Sequence, residues 1–502
     1  MPLNPLKQLF AQTAVYGLGT VIPRLLNYLL LTPFFTRVFM LREYGVVTEL
    51  YAYVVFLLVI LTYGMETGFF RYAEKHPDAN EVYSTSLISL FSTSGLFIVI
   101  IWILAEPIAG WIGYASNPEY ILWIGIIVGL DSFMAIPFAR LRQQKKAVKF
   151  AVIKIANVVV NISLNMVFLL IFPRMSDAGH HIPGWLFDRG IGVGYVFISN
   201  LAASLFTLVL LSGEFIGIAM RFNTQLWKQM MVYSLPLLIS GLAGTVNEAL
   251  DRVLLKHLVS KDLNPLEQLG IYGANYKIAV MLQLFIQMFR FAAEPFYFAR
   301  AKDKNAKELY AVIMKYFVII CLVIFLMVTL YIDVFKHFIG EKFHAGLHIV
   351  PVVLFAIFFL GIFFNLSLWY KLNNLTKYGA LITLTGAVIT FLINWFFIPR
   401  FGYTASAWAH FFCYLTMVII SYFLGRKYYR IDYDIKRIIF YSLLAVIIYK
   451  TSTFVHPEPV KFKILLNTGL LFLFFTGVVI MERKELRKMF GTGLKADNKQ
   501  VD

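Results

Sequence analysis

The stretch LFAQTAVYGLGTVIPRLLNYLLLTP, residues 9–33, decides how the rest of the chain is interpreted. It is mostly apolar and long enough to cross a membrane, since about 20 such residues in a helix span the hydrocarbon core. Arg24 lies near its middle, where a cation facing lipid costs ~2.5 kcal/mol or more. We therefore expect Arg24 to face a polar interior together with Asn27 and Tyr28, which share its helical face. The alternative is a structural ion pair with a buried carboxylate.

The composition of the 502 residues is that of a polytopic membrane protein. Hydrophobic residues make up 59% and charged residues only 15%, and the mean hydropathy is +0.72. Recurring apolar runs predict an all-α fold of about fourteen transmembrane helices, with prolines 107, 173, 399 and 457 in the connections. The predicted spans are 10–33, 45–68, 84–105, 119–139, 150–172, 191–212, 229–251, 269–292, 310–333, 347–368, 378–398, 404–425, 436–454 and 462–481.

The distribution of Lys and Arg predicts the orientation. With a cytoplasmic N-terminus, basic residues concentrate in cytoplasmic connections such as 140–149, 299–307 and 425–437. This positive-inside pattern predicts that both termini are cytoplasmic. The net charge of +17 is then explained by contact with anionic membrane lipids, and no nucleic acid is expected as a partner.

A weak internal repeat divides the chain. AVYGLGTVIPRLL (14–26) is similar to MVYSLPLLISGLA (231–243), and YGVVTELYAY (44–53) is similar to LGIYGANYKI (269–278). The repeat predicts an N-terminal six-helix lobe (1–213) and a C-terminal six-helix lobe (214–430). Two extra helices and a basic cytoplasmic tail follow (431–502). Transporters built from such repeats bind substrate between the halves near the membrane midplane.

Polar residues inside the predicted spans are candidates to line that site. In the fifth span, Asn157, Asn161 and Asn165 follow Lys154 at helical spacing. Such a stripe faces a cavity or packs by interhelical amide bonds, and Lys154 alternatively reaches the cytoplasmic interface. Several of the candidates are cations, which favours an anionic substrate, because one guanidinium group binds two phosphate oxygens at once. The candidate cavity residues are Arg24, Asn27, Lys154, Asn157, Asn161, Lys277, Gln283, Gln287 and Arg290.

Asp131, Glu248, Asp251 and Arg252 are candidates for binding a coupling ion, H+ or Na+. Asp131 is a mid-span carboxylate and the natural counter-charge for Arg24, so it is either a structural partner or an ion site. The other three are predicted to share one helical face. They form either a solvated helix end or a carboxylate pair with Arg252 beside it.

Metal and thiol chemistry is not expected. His344 and His348 have the spacing of metal ligands on a helix, but they lie in a short outer connection. Cys321 and Cys413 both lie in apolar runs, which predicts neither a disulfide framework nor a thiolate metal site. No GxxxxGK[ST] phosphate-binding loop occurs in the sequence, so we expect no built-in ATPase and no cofactor.

The chain resembles the multidrug/oligosaccharidyl-lipid/polysaccharide exporter superfamily. The resemblance lies in the number of spans, the two halves, the first-span arginine and the short connections. The segment PRLLNYLLLTPFFTRVFMLREYGVVTELYAY (23–53) resembles its polysaccharide-transporter branch, the Wzx-type O-antigen and capsule flippases of bacteria. The resemblance implies a MATE- and MurJ-like fold. It also implies a monomeric protein that flips undecaprenyl-pyrophosphate-linked oligosaccharides across the inner membrane by alternating access, for surface polysaccharide synthesis.

The superfamily's lipid II flippases offer an alternative, because they also use a cationic cavity and a first-span arginine. Their longer arginine-rich opening is not reproduced, since no basic residue lies between Arg24 and Arg37. Their two extra helices form a groove for the lipid tail, and residues 436–481 match that region.

Two further function classes are weighed against a flippase. In an ion-coupled drug exporter, carboxylates are expected to be the main charges of the cavity. The excess of intramembrane Arg and Lys disfavours this function. A membrane glycan polymerase or ligase needs acid, base or metal groups in a sizeable outer loop. The outer connections are short, so we do not expect an enzyme.

Overall fold

The computed structural model describes residues 19–216, 219–455 and 460–491. These residues are almost entirely helical, and none of them lies in a β-strand. The start of the predicted first span (10–18), Pro457 and the end of the basic tail fall outside the described residues.

Fourteen long helical segments follow one another along the described chain. Twelve of them, all except α1 and α6, are long and apolar enough to cross a membrane. They are α1 (19–38), α2 (Leu41–Ala73), α3 (Ala79–Ile112), α4 (Pro118–Gln143), α5 (Ala147–Asp177), α6 (Gly194–Leu210), α7 (Thr224–Leu258), α8 (Pro265–Ala299), α9 (Ala306–Leu330), α10 (Glu341–Leu372), α11 (Thr376–Phe401), α12 (Tyr403–Tyr428), α13 (Ile435–Phe454) and α14 (Val460–Gly491).

This order confirms the predicted all-α, polytopic fold, because each predicted span falls on one helix. Most of the helices are longer than the apolar runs, since polar residues at their ends continue the helical backbone. At the start of α7, for example, the Asn223 side chain accepts a hydrogen bond from the Leu226 N–H (3.0 Å), which caps the helix. Four helices are irregular, including α10, which begins as a 3-10 helix at Glu341–Ile349. A π turn interrupts α1 at Asn27–Leu31 and α5 at Val167–Ile171, and α2 bends at residues 63–64.

The expectation that prolines mark the connections is wrong for the described residues. Pro107 lies inside α3 and Pro399 inside α11. Pro173 lies in α5 directly after its π turn. Neighbouring helices and local π adjustments satisfy the backbone groups that proline frees, so membrane helices tolerate it.

The first twelve helices pack in two groups. In the first group α3 packs on α4, and α6 packs on both α4 and α5. In the second group α12 packs on α10 and α11, while α8 packs on α10. The groups meet mainly through α2, which packs against both α7 and α8. In addition, α1 contacts α5 in its own group and α8 in the other.

The last two helices are fixed to the second group by a buried ionic cluster. Lys315 of α9 donates hydrogen bonds to Glu482 (2.7 Å) and Glu485 (2.6 Å) of α14. Glu482 also accepts from Arg437 (2.9 Å) and Tyr441 (2.6 Å) of α13. Glu482 and Lys315 are both buried, so the cluster joins α9, α13 and α14 away from water.

A second contact fixes the other end of α14. Lys463 donates to Asp333 (2.7 Å), just beyond α9, and Asn467 donates to the carbonyl oxygen of Leu330. Hydrogen bonds from Lys463 and Lys336 hold the pKa of Asp333 below its ordinary value. Helix α14 is therefore attached to α9 near both membrane surfaces.

We expect Glu482→Ala to weaken the attachment of α14 to α9 at this end of the helix. The buried Lys315 ammonium would keep only the partly exposed Glu485 carboxylate as a partner, and breaking a buried ion pair costs about 3 kcal/mol or more. The variant should lose thermal stability in detergent, and its C-terminal helices should become sensitive to protease. The control is Asp432→Asn, which breaks an exposed ion pair with Arg430 and should change stability by less than about 1 kcal/mol. Equal stability of the two variants would contradict a structural role for the cluster.

Candidate substrate cavity

A polar cavity of about 510 Å3 lies between the two groups of helices. Its walls come from α1, α2, α5 and α6 of the first group and from α7 and α8 of the second. The site is therefore where the internal repeat predicts it.

The first group contributes a wall of amides and hydroxyls. Asn157 donates to the Thr207 hydroxyl (2.8 Å), and Asn165 donates to the side-chain oxygen of Asn161 (3.0 Å). Asn200 donates to the Tyr51 hydroxyl (2.8 Å). The described residues of α2, α5 and α6 that line the cavity are all uncharged. The amide stripe of α5 thus faces the cavity and also makes interhelical hydrogen bonds.

Two amide oxygens of this wall are available to a ligand. The side-chain oxygens of Asn27 and Asn165 are buried, and neither has a hydrogen-bond partner among the described residues. Asn27 opens the π turn of α1, one helical turn after Arg24. Since a buried acceptor without a partner costs free energy, both oxygens favour a ligand or water that donates hydrogen bonds.

The charged side chains lie on α1, α7 and α8. Arg24 donates to the side-chain oxygen of Gln287 (3.0 Å), so it reaches from the first group to the second. The Arg252 guanidinium lies 4.8 Å from the centre of the Tyr276 ring. Among the described lining residues, Arg24, Arg252 and Lys277 are cations and Glu248 is the one carboxylate. The cavity therefore has a net positive lining.

Most of the predicted cavity residues lie together in this cavity. They are Arg24, Asn27, Asn157, Asn161, Lys277, Gln283 and Gln287. Two others do not line it. The Lys154 ammonium lies 3.9 Å from the centre of the Phe138 ring. Arg290 lies 3.4 Å from the carboxylate of Glu294, with its guanidinium over the Phe364 ring.

The expected Arg24–Asp131 pair is wrong. Asp131 accepts a hydrogen bond from Ser204 (2.9 Å), whereas Arg24 bonds to Gln287. Asp131 belongs to α4, which packs on α3 and α6 and contributes no described residue to the cavity wall. Its helix lies behind the wall, so the carboxylate does not reach the arginine.

The expected charged face of α7 is divided between two environments. Glu248 and Arg252 line the cavity, and Glu248 accepts a hydrogen bond from Gln283 (3.2 Å). Asp251 instead points into the second group, where it is buried 3.0 Å from His410 of α12. Positions i+3 and i+4 lie about 100° apart around a helix, which is enough to separate Asp251 from Arg252. Sequence reasoning missed His410, although a histidine within an apolar span was the available signal.

Close backbone contacts join α2 and α8 at one end of the cavity, next to the lining residues Tyr44 and Gly273. A Cβ atom placed on Gly270 would lie 2.1 Å from the carbonyl oxygen of Leu41. One placed on Gly45 would lie 1.9 Å from the carbonyl oxygen of Leu266. Only glycine allows two helices to approach so closely at these positions.

The end of α1 makes further contacts at this end of the cavity. The Gly340 N–H donates to the Thr36 hydroxyl (3.1 Å), and Arg37 donates to the carbonyl oxygen of His337 (2.7 Å). Both contacts join α1 to the segment between α9 and α10. Nearby, His344 lies 2.9 Å from the carbonyl oxygen of Lys336 and His348 lies 3.1 Å from the Thr404 hydroxyl.

Solved transporters share this fold. A structure titled "Lipid II flippase MurJ, inward closed conformation" aligns with a TM-score of 0.71 and 13% identity, covering 94% of this chain and 100% of that chain. An inward-facing multidrug resistance MATE family transporter of the MOP superfamily aligns with a TM-score of 0.61 and 14% identity, covering 83% and 94%. The MATE multidrug transporter DinF-BH aligns with a TM-score of 0.58 and 16% identity, covering 85% and 96%.

Sequence comparison identifies the family. No curated protein matches the chain. The model of a family described as "Polysaccharide biosynthesis protein" matches residues 9–301, which is more than half of the chain. It includes the segment 23–53 and most of the cavity wall. The chain therefore belongs to the polysaccharide biosynthesis protein family.

Proposed function

We propose that the protein is a flippase for an undecaprenyl-pyrophosphate-linked oligosaccharide in the bacterial inner membrane, acting in surface polysaccharide synthesis. The observation that carries the proposal is the cavity between the two groups, with its net positive lining. A diphosphate needs several cations, and guanidinium groups bind its oxygens with charge-assisted hydrogen bonds. Arg24, Arg252 and Lys277 supply three such cations.

The charged residues and the asparagines of the cavity have different roles in this proposal. The charged residues of α1, α7 and α8 bind the diphosphate. The asparagines of α1, α5 and α6 bind the sugars, because an amide both donates and accepts hydrogen bonds and therefore suits hydroxyl groups. The free oxygens of Asn27 and Asn165 are acceptors for sugar hydroxyls.

Transport proceeds by alternating access between lobes 1–213 and 214–430. With both termini in the cytoplasm, the contacts of Gly45 and Gly270 lie at the outer end of the cavity. Opening this end while the inner end closes moves the bound glycan outward. The polyprenyl chain stays in lipid or along α13 and α14. The energy comes from a coupling ion, H+ or Na+, and the buried Asp251–His410 pair (3.0 Å) is a candidate site for it.

The positive lining favours a flippase over a drug exporter. A drug exporter for cationic compounds needs carboxylates at the site, and the described lining residues include one carboxylate against three cations. A lipid II flippase shares the diphosphate chemistry. Loss of surface polysaccharide with intact cell-wall synthesis in a deletion strain would separate the two substrates.

Arg24→Ala should reduce export on the order of tenfold, because a hydrogen bond to a charged group contributes about 1.5–3 kcal/mol. The measurement is surface polysaccharide in a deletion strain complemented with the variant, at matched protein levels. Arg400→Ala is the control, since Arg400 is an exposed arginine at the end of α11. Normal export by the Arg24→Ala protein would remove this arginine from substrate binding.

Gly270→Ala should favour the outer-open state, because its Cβ atom would lie 2.1 Å from the Leu41 carbonyl oxygen in the closed contact. A cysteine at Thr48, which lines the cavity, should then react severalfold faster with an impermeant maleimide applied outside. The matched control is Gly244→Ala in α7, since a Cβ atom there has nothing within 4 Å. Unchanged labelling of the Gly270→Ala protein would show that this contact does not close the cavity.

A further inference from the structure

A buried ion pair joins the two groups of helices beside the cavity. The Lys256 ammonium at the end of α7 lies 2.8 Å from the Glu49 carboxylate of α2. The Glu49 side chain is 0% exposed and that of Lys256 is 13% exposed. The negative charge thus belongs to the first group and its counter-charge to the second.

The first group surrounds this ammonium on several sides. Lys256 also donates a hydrogen bond to the carbonyl oxygen of Ile112 (2.5 Å), the last residue of α3. Its ammonium lies 3.9 Å from the centre of the Tyr114 ring. Carbonyl groups at a helix C-terminus carry partial negative charge, and the face of an aromatic ring attracts cations. Glu49, the Ile112 carbonyl and the Tyr114 ring form what we call the cation socket.

Arg42 of α2 is close enough to act electrostatically on Tyr114, but among the described residues Lys256 is the one cation in ion-pair contact with Glu49. Tyr114 (2.5 Å) and Tyr53 (3.1 Å) donate their hydroxyl groups to its carboxylate. Both tyrosines belong to the first group and stay with Glu49 when the groups separate. His257 of α7 lies 3.4 Å from the Tyr53 hydroxyl, so it departs together with Lys256.

We propose that the cation socket binds a monovalent cation from the outer solution when the outer end of the cavity opens. Withdrawal of Lys256 would leave a buried carboxylate without a counter-charge, which is strongly unfavourable. A proton on Glu49, or Na+ between Glu49, the Ile112 carbonyl and the Tyr114 ring, restores neutrality. Because this cation binds the open state and is displaced by Lys256 in the closed state, it shifts the equilibrium toward opening. The inference rests on the alternating access proposed above.

The test measures opening directly, in protein without substrate in lipid nanodiscs. Spin labels are attached to cysteines at Trp111 of α3 (85% exposed) and Leu263 beyond α7 (53% exposed). The two native cysteines are buried. Pulsed electron paramagnetic resonance then gives the fraction of molecules with separated labels. That fraction should rise severalfold as pH falls, if the cation is a proton, or as Na+ is added at constant ionic strength, if it is Na+.

In the Glu49→Gln protein, the separated fraction should be high and independent of both pH and Na+, because the open state no longer needs a cation. Lys256→Met is a second variant, and it should also raise the separated fraction, because its closed state buries Glu49 without a counter-charge. Glu214→Gln is the matched control. It breaks the pair between Lys149 of α5 and Glu214, which follows α6 (2.6 Å). This pair does not join α2 to α7, so the variant should behave as the wild type does.

The proposal is overturned if the Glu49→Gln protein keeps the wild-type dependence on pH and Na+, or if the wild type responds to neither cation. If the separated fraction loses its dependence on pH or Na+ in the Asp251→Asn protein but keeps it in the Glu49→Gln protein, the cation binds at the Asp251–His410 pair instead. The measurement uses no glycan. Its failure is therefore distinguishable from failure of the flippase proposal, which the export of the Arg24→Ala protein tests.

Discussion

The structure depends on one constraint, which is that a charged side chain within the membrane needs either a counter-charge or a polar space. Arg24 meets the constraint in the cavity, where it donates to Gln287 across the two groups. Lys315 meets it through Glu482 and Glu485, in a cluster that is buried within the protein. The first solution leaves a guanidinium that a substrate can approach, and the second gives a rigid attachment. The same constraint thus gives a cavity-facing cation in one place and a fixed helix attachment in another.

The closure of the cavity uses a different kind of contact. Between α2 and α8, glycines bring one backbone against another at Gly45 and Gly270, without interlocking side chains. Two helix faces that meet at glycines separate without the rearrangement that interlocked large side chains require. Specificity of the closed state then comes from a few polar contacts at its edge, such as Gly340 with Thr36 and Lys256 with Glu49.

The sequence predicts the helices and most of the cavity because both are local patterns. Apolar run length identifies each span, and helical spacing places Asn157 and Asn161 on one face. Helical spacing does not predict which residue of another helix a polar side chain contacts. For this reason Lys154 does not line the cavity and Asp131 does not pair with Arg24, since packing turns them toward Phe138 and Ser204. The pairs Glu49–Lys256 and Asp251–His410 join residues far apart in the chain, and no spacing rule connects them.

The double attachment of α14 has a mechanical consequence. Because α14 is bonded to α9 through Glu482 at one end and Lys463 at the other, α13 and α14 are joined to the second group. The fourteen long helices of the described chain are thereby divided six against eight. In the alternating access that we propose, the larger group displaces more lipid, so we expect the smaller N-terminal group to make the larger movement.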